Sequence, residues 1–256
     1  MKTAAVGLAF LLAGLSAFGD FIPSPPNGIV ELDGWTAIVV QLGSFDILAE
    51  VNGRLENQNL AFDYRAITVG GYYRPLPNLK IGAFYRLQAG VRHDDDWGLN
   101  SNPPPIWTWL GTTERFENEL MLDASPRFLL DLLPGRSWVL MVKGRYVYNT
   151  YENQQSIVAR PELTFFWLVD RQPFMDFSAA YEAWFPLNYG TTSIYESYPW
   201  LAVRYHVTPE LLVELGASYK STVWSSSALA ASDGFIYSLT YSRWLLSLGV
   251  IYVLNP

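Results

Sequence analysis

The stretch Lys80 to Arg92, KIGAFYRLQAGVR, changes character at every step. Lys80, Gly82, Phe84, Arg86, Gln88, Gly90 and Arg92 share one side, and Ile81, Ala83, Tyr85, Leu87, Ala89 and Val91 share the other. A side-chain period of two belongs to a β-strand, and a helix cannot present it as two faces. The same alternation recurs from Trp35 to Leu254 with no amphipathic helical stretch between, so the chain reads as all-β. Alternation alone does not say whether the apolar face is a core or a skin, and the rest of the sequence has to decide that.

Charged residues make up 16% of the 256-residue chain and aromatic residues another 16%. Soluble domains average about 25% charged residues, so the shift favours a large apolar contact surface. Apart from the N-terminal segment, no run of some 18 uncharged apolar residues exists, which argues against membrane-spanning helices. The opening MKTAAVGLAFLLAGLSAFGD has Lys2, an apolar run from Ala4 to Leu15, and small residues Ala17 and Gly19 before Asp20. This is the pattern of a secretory signal peptide over residues 1–19. Its removal leaves 16 basic residues (17 minus Lys2) against 24 acidic ones, a net charge of −8 that argues against a nucleic-acid partner. The chain has no cysteine, hence no disulfide framework and no thiolate chemistry.

After a proline-rich lead, residues 20–34, four hairpins stand out: YYRPLPNLKIGAFYR, DLLPGRSWVLMVKGRYVY, WLVDRQPFMDFSAAYEAW and RYHVTPELLVELGASYK. Pro77, Pro134, Pro173 and Pro209 lie in or beside their turns, where a missing N–H is tolerated. The connections at the other end are longer, the longest being His93 to Thr113 with Trp97, Trp107 and Trp109. Four hairpins supply eight strands, and one strand from Trp35 to Glu56 plus one from Trp244 to Leu254 bring the count to ten. In the first of these, Trp35, Ala37, Val39, Phe45, Ile47, Ala49, Val51 and Leu55 are expected to share the apolar face. Turns at Gly43-Ser44 and Ser242-Arg243 would raise the count to twelve, and eight is a further alternative. Ten is preferred because it keeps both chain ends on the short-turn side.

Glu50, Arg54, Arg65, Arg86, Glu119, Asp123, Arg145, Arg160, Glu162, Glu182, Arg204, Glu214 and Lys220 follow the charged register and are expected to line an interior. On the opposite face Tyr85, Tyr146, Tyr181 and Tyr219 lie far from the tight turns, and Trp138, Trp167 and Tyr205 lie close to them. Two such levels, eight residues apart on strands tilted near 40°, are separated by roughly 20 Å, close to the height of a lipid-facing band with an aromatic girdle at each edge.

This layout resembles the small bacterial outer-membrane β-barrel proteins, from Trp35 to Leu254. The resemblance implies a transmembrane antiparallel up-and-down barrel over residues 35–256, set in the outer membrane of a Gram-negative-type envelope with both termini periplasmic. It also implies a structural, adhesive or narrow, porin-like role, with outer-membrane lipid as partner and either small solutes in the lumen or an external partner at the long loop. Two alternatives remain open. His93 beside Asp94 and Asp95 is similar to the Asp-His pairs of the outer-membrane proteases and allows a hydrolase at the external mouth. A soluble secreted lipid-binding barrel would reverse the two faces. Three adjacent carboxylates, Asp94 to Asp96, lack the spaced ligands of a calcium loop, His206 beside a tight turn reads as structural, and no GxSxG elbow is present. No metal, no cofactor and no catalytic group beyond the His93 candidates is expected.

Overall fold

Backbone pairing closes on itself in the computed structural model, which describes residues 29–56, 62–90, 97–100, 106–109, 115–130, 138–190, 192–225, 232 and 238–255. The wall consists of β1 (Ile29–Leu42), β2 (Phe45–Glu56), β3 (Phe62–Leu76), β4 (Leu79–Ala89), β7 (Phe116–Leu129), β8 (Trp138–Asn149), β9 (Gln154–Val169), β10 (Gln172–Pro186), β11 (Glu196–His206), β12 (Leu211–Ser225) and β13 (Ser238–Leu254). These form one closed barrel in chain order, and the short strands β5 (Trp97–Asn100) and β6 (Ile106–Trp109) pair only with each other. That ribbon lies within the long segment between β4 and β7, with Trp97 opposite Trp109 and Leu99 opposite Trp107.

The barrel therefore has eleven strands, not ten, twelve or eight. The stretch expected as one strand from Trp35 to Glu56 is a hairpin, and Leu42 pairs with Phe45 across Gly43-Ser44. Gly43 has φ +63° while Ser44 stays outside the left-handed region, the arrangement of a II′ turn, whose first central position favours glycine. Ser242-Arg243, by contrast, lies inside the uninterrupted β13. The wall also begins at Ile29, within the stretch expected as a lead.

Strand number sets the manner of closure. In an up-and-down wall with an odd number of strands the first and last run the same way, and β1 pairs with β13 in parallel, from Ile29 opposite Arg243 to Val40 opposite Leu254. Every other pair in the wall is antiparallel. The parity argument for both ends on the short-turn side presupposes an even count. Here β13 ends beside the short turns, whereas β1 starts toward the long-loop end and runs to the short turns at Gly43-Ser44.

The two-residue turn also resets the side-chain alternation. Trp35, Ala37 and Val39 point into the barrel with Glu31 and Asp33, while Leu32, Ile38 and Leu42 point out. On β2 the outward residues are Phe45, Ile47, Ala49 and Val51. The expected shared face of Trp35 and Phe45 is thus split across the wall. Inward-facing Trp35 lies over its seam partner Gly249, where an added Cβ would fall 2.2 Å from the indole ring.

Parallel closure is open to a direct check, since the chain has no cysteine of its own. Thr36→Cys combined with Val250→Cys, register partners across the seam, is expected to oxidise to an intramolecular disulfide visible as a mobility change on gels. An even, antiparallel closure would not bring these positions together.

Candidate functional site

All eleven strands contribute to a chamber of about 510 Å³ inside the barrel. Its lining reaches Asn149, Gln154, Tyr189 and Tyr195 toward the long-loop end, and on every strand it stops short of the turn at the other end. The walls carry Glu31, Asp33, Glu50, Glu119, Glu182, Glu196 and Glu214, together with Arg54, Arg86, Arg145, Arg160, Arg204, Lys220 and Arg243. Charges of this density are tolerable inside a protein only when paired and hydrogen-bonded.

Alternation on neighbouring strands supplies the pairs. Arg86, opposite Thr68 on one side and Glu119 on the other, donates from Nε to Thr68 Oγ1 at 3.1 Å and meets Glu119 at 3.4 Å. Arg204 lies 2.6 Å from Glu214 and 3.4 Å from Asp176, whose other oxygen is 3.0 Å from His206 Nε2. Arg160 donates to Glu162 at 2.8 Å and stacks 4.4 Å over Trp200. Glu182 accepts from Trp184 Nε1 at 2.8 Å and from the Tyr198 hydroxyl at 2.6 Å. Lys220 meets Glu196 at 2.5 Å, and Arg243 reaches Glu31 at 2.9 Å across the seam. Among the described residues Glu50 finds no hydrogen-bond or ion-pair partner, although Arg86 is two strands away in the same row.

Toward the short turns the bore is filled by side chains. Asp46 takes Arg74 at 2.5 Å and Lys80 at 2.9 Å. Asp123, 2% exposed, is held by Arg145 at 2.6 and 2.9 Å, by Lys143 at 3.1 Å and by the Tyr72 hydroxyl at 3.2 Å. Phe84 and Met121, packed by Leu48 and Tyr72, join an apolar cluster with Val147, Val158 and Trp184, which lie nearer the long-loop ends of their strands, Val147 and Trp184 also lining the chamber. The rings of Tyr72 and Phe84 meet edge to face at 4.8 Å. Room for them comes from a reciprocal pairing: Gly70 stands opposite Phe84 and Gly82 opposite Tyr72. A Cβ on Gly82 would come within 2.7 Å of both rings, and one on Gly70 within 2.4 Å of Phe84. This layer, which sequence reasoning missed, had one readable signal: Phe84 and Met121 are bulky apolar residues in the charged register.

Of the thirteen residues expected in the interior, twelve point inward. Ten of these line the chamber, while Asp123 and Glu162 sit in the packed layer beneath. Arg65 is the exception: it is exposed on the outer face in the row of Ile67 and Val69, with its guanidinium 5.7 Å from the Phe116 ring. The alternation Tyr64, Ala66, Thr68 turns toward the bore, so its odd-numbered neighbours turn away. Tyr85, Tyr146, Tyr181 and Tyr219 lie on the outer face toward the long-loop end, and Trp138, Trp167 and Tyr205 on the same face toward the short turns. Phenol groups at the former level bond to polar neighbours, Tyr146 to Gln155 at 3.1 Å and Tyr85 to Asn118. Rings at the latter level meet edge to face, with Phe174 5.9 Å from Trp167 and 5.2 Å from Tyr205. His93, Asp94 and Asp95 lie outside the described residues, as do residues 1–19. No group of three metal-ligating side chains is found among the described residues. No model of a known protein family matches the chain, and no curated protein is similar to it. What the geometry defines is a class, a closed all-β barrel with a charged interior chamber.

Two carboxylates provide a contrast. Asp123→Ala is expected to cost about 3–5 kcal/mol, because it strands Lys143 and Arg145 in a buried layer. Glu50→Gln, which removes no partner, is expected to change stability by less than about 0.5 kcal/mol. Urea unfolding of the purified variants measures both.

Proposed function

We propose that this chain is a membrane-spanning barrel of the bacterial outer-membrane type, a structural or adhesive protein whose bore forms a chamber open toward the long loops and shut toward the short turns. The observation that carries this reading is the inverted sorting of side chains. Leu201 is 64% exposed, Leu215 60% and Val51 58%, while Asp123, Asp176 and Glu31 are each 2% exposed. In water such a surface is a liability, since soluble monomers rarely carry apolar patches beyond a few hundred Å². Hydrocarbon removes that penalty, and a closed ladder is one of the two backbone solutions available there. The edge-to-face rings near the short turns and the hydrogen-bonded phenols at the other end fit the two interfaces of a bilayer. A soluble lipid carrier needs the opposite, an apolar bore, and the chamber walls here are charged.

Orientation follows the outer-membrane pattern of short periplasmic turns, which places the end of β13 on the periplasmic side and the mouth of the chamber outside. At rest the barrel is then non-conducting, because the Tyr72–Phe84 layer lies between chamber and periplasm. A narrow gated pore is the second reading, supported by the fact that the closing layer is made of side chains on the wall.

Leu201→Arg separates lipid from water as the medium of the outer face. At mid-wall an arginine is expected to destabilise the barrel in bilayers by about 2–4 kcal/mol. An aqueous surface would accept it at almost no cost, and unchanged stability in vesicles would refute the membrane reading. In planar bilayers the wild type is expected to show no channel events, and Tyr72→Ala with Phe84→Ala is expected to produce small ones. Steady conductance of the wild type would favour the pore.

A further inference from the structure

The outer face of the wall carries one charged side chain among the residues whose side chains are described, and it is Arg65. Resting on the membrane reading above, we propose that Arg65 and its neighbours on β3, β4 and β7 form a seat for the phosphate of a lipid headgroup in the leaflet on the long-loop side. Depth is the first argument. Arg65 stands near the start of β3, opposite Ala89 at the end of β4, which in turn stands opposite Phe116 at the start of β7. All three belong to the long-loop rim, where hydrocarbon gives way to headgroups.

Lack of a partner is the second argument. Every arginine that lines the chamber has a carboxylate within 3.5 Å. Among the described side chains Arg65 has no carboxylate partner, and the contact it makes there is with the face of Phe116, which does not use its N–H donors. A guanidinium offers planar, bidentate donation, and phosphate oxygens are the anions present at that depth.

The surroundings complete the seat. The register partners of Arg65 are both small, Gly53 on β2 and Ala89 on β4, and its guanidinium reaches across β4 to the Phe116 ring on β7. Two residues beyond Phe116 on the same face, the Asn118 Oδ1 accepts a hydrogen bond from the Tyr85 hydroxyl, which turns the amide N–H₂ of Asn118 outward as a further donor. Guanidinium, amide and ring thus gather on one short segment of an otherwise apolar wall.

The full-length mature protein in a maltoside detergent, which lacks phosphate, allows the test. Phosphatidic acid is added, with a galactosyl diacylglycerol of the same chains as the neutral control, and bound lipid is counted by native mass spectrometry. Phosphatidic acid is expected to bind in preference to the galactolipid, and Arg65→Gln to weaken it by about tenfold, the equivalent of one charge-assisted hydrogen bond. Arg65→Lys should keep part of the preference, and Arg127→Gln, at the opposite rim, all of it. Equal binding by wild type and Arg65→Gln, or equal loss in Arg65→Gln and Arg127→Gln, overturns the proposal. Displacement by equimolar inorganic phosphate would also overturn it, by showing an anion site indifferent to lipid. A wild type that fails to float with vesicles defeats the membrane reading itself, whereas one that floats and is indifferent to Arg65 defeats this inference alone.

Discussion

An odd number of strands can leave no open edge only if its two end strands accept parallel pairing, and the rest of the molecule depends on the β1–β13 seam. Parallel bonds are slanted and slightly weaker per residue than antiparallel ones, yet they replace two rows of unpaired N–H and C=O groups. The seam is reinforced from within by the Arg243–Glu31 pair at 2.9 Å and by Trp35 lying against Gly249. Both contacts need β1 to turn Glu31 and Trp35 inward, which the turn at Gly43-Ser44 arranges. Strand number, closure and the lining of the chamber are therefore one decision.

Given a closed wall, its interior must reconcile dense charge with burial. Neighbouring strands place opposite signs in adjacent rows, so most ionised groups are satisfied by residues on the same or the next strand, as Asp123 is by Arg145 and Lys143. Pairing along the wall leaves the axis free, and this is why a chamber survives among so many long side chains. Where the bore closes, it does so by a different device: rings folded over glycines on the facing strand. The floor of the chamber thus combines the ion pairs of Asp46 and Asp123 with the Tyr72–Phe84 rings.

Much of this was legible before the structure. Alternation identified the four hairpins, the charged interior and the inward direction of all but one of the residues named from sequence, because a period of two survives even when strand ends are misjudged. The failures have local causes. Gly43-Ser44 carried the right turn chemistry and was set aside for a parity rule that holds for even barrels, and the error moved Trp35, Ala37 and Val39 to the wrong face. Arg65 was sorted by its charge when its row, with Ile67 and Val69, pointed the other way. Tyr72, Phe84 and Met121 as a closing layer needed the register between β3, β4 and β7, which depends on pairing between strands that no single segment displays.

The misplaced arginine and the missed aromatic layer bear on the same physical point. A barrel wall has two solvents, and each residue that violates the chemistry of its own side marks a place where that side is not uniform. Phe84 and Met121 are apolar residues in a polar bore, and they occupy the depth at which the bore ceases to hold a chamber. Arg65 is a cation on an apolar face, and it occupies the rim, where the hydrocarbon of a bilayer would end. In a wall with strict alternation such exceptions cannot be absorbed by a shift of register, because a slip of one residue would reverse every neighbour on the strand. Their positions are therefore set by the surroundings they meet: Phe84 and Met121 mark the boundary of the chamber, and in the proposed membrane setting Arg65 marks that of the lipid.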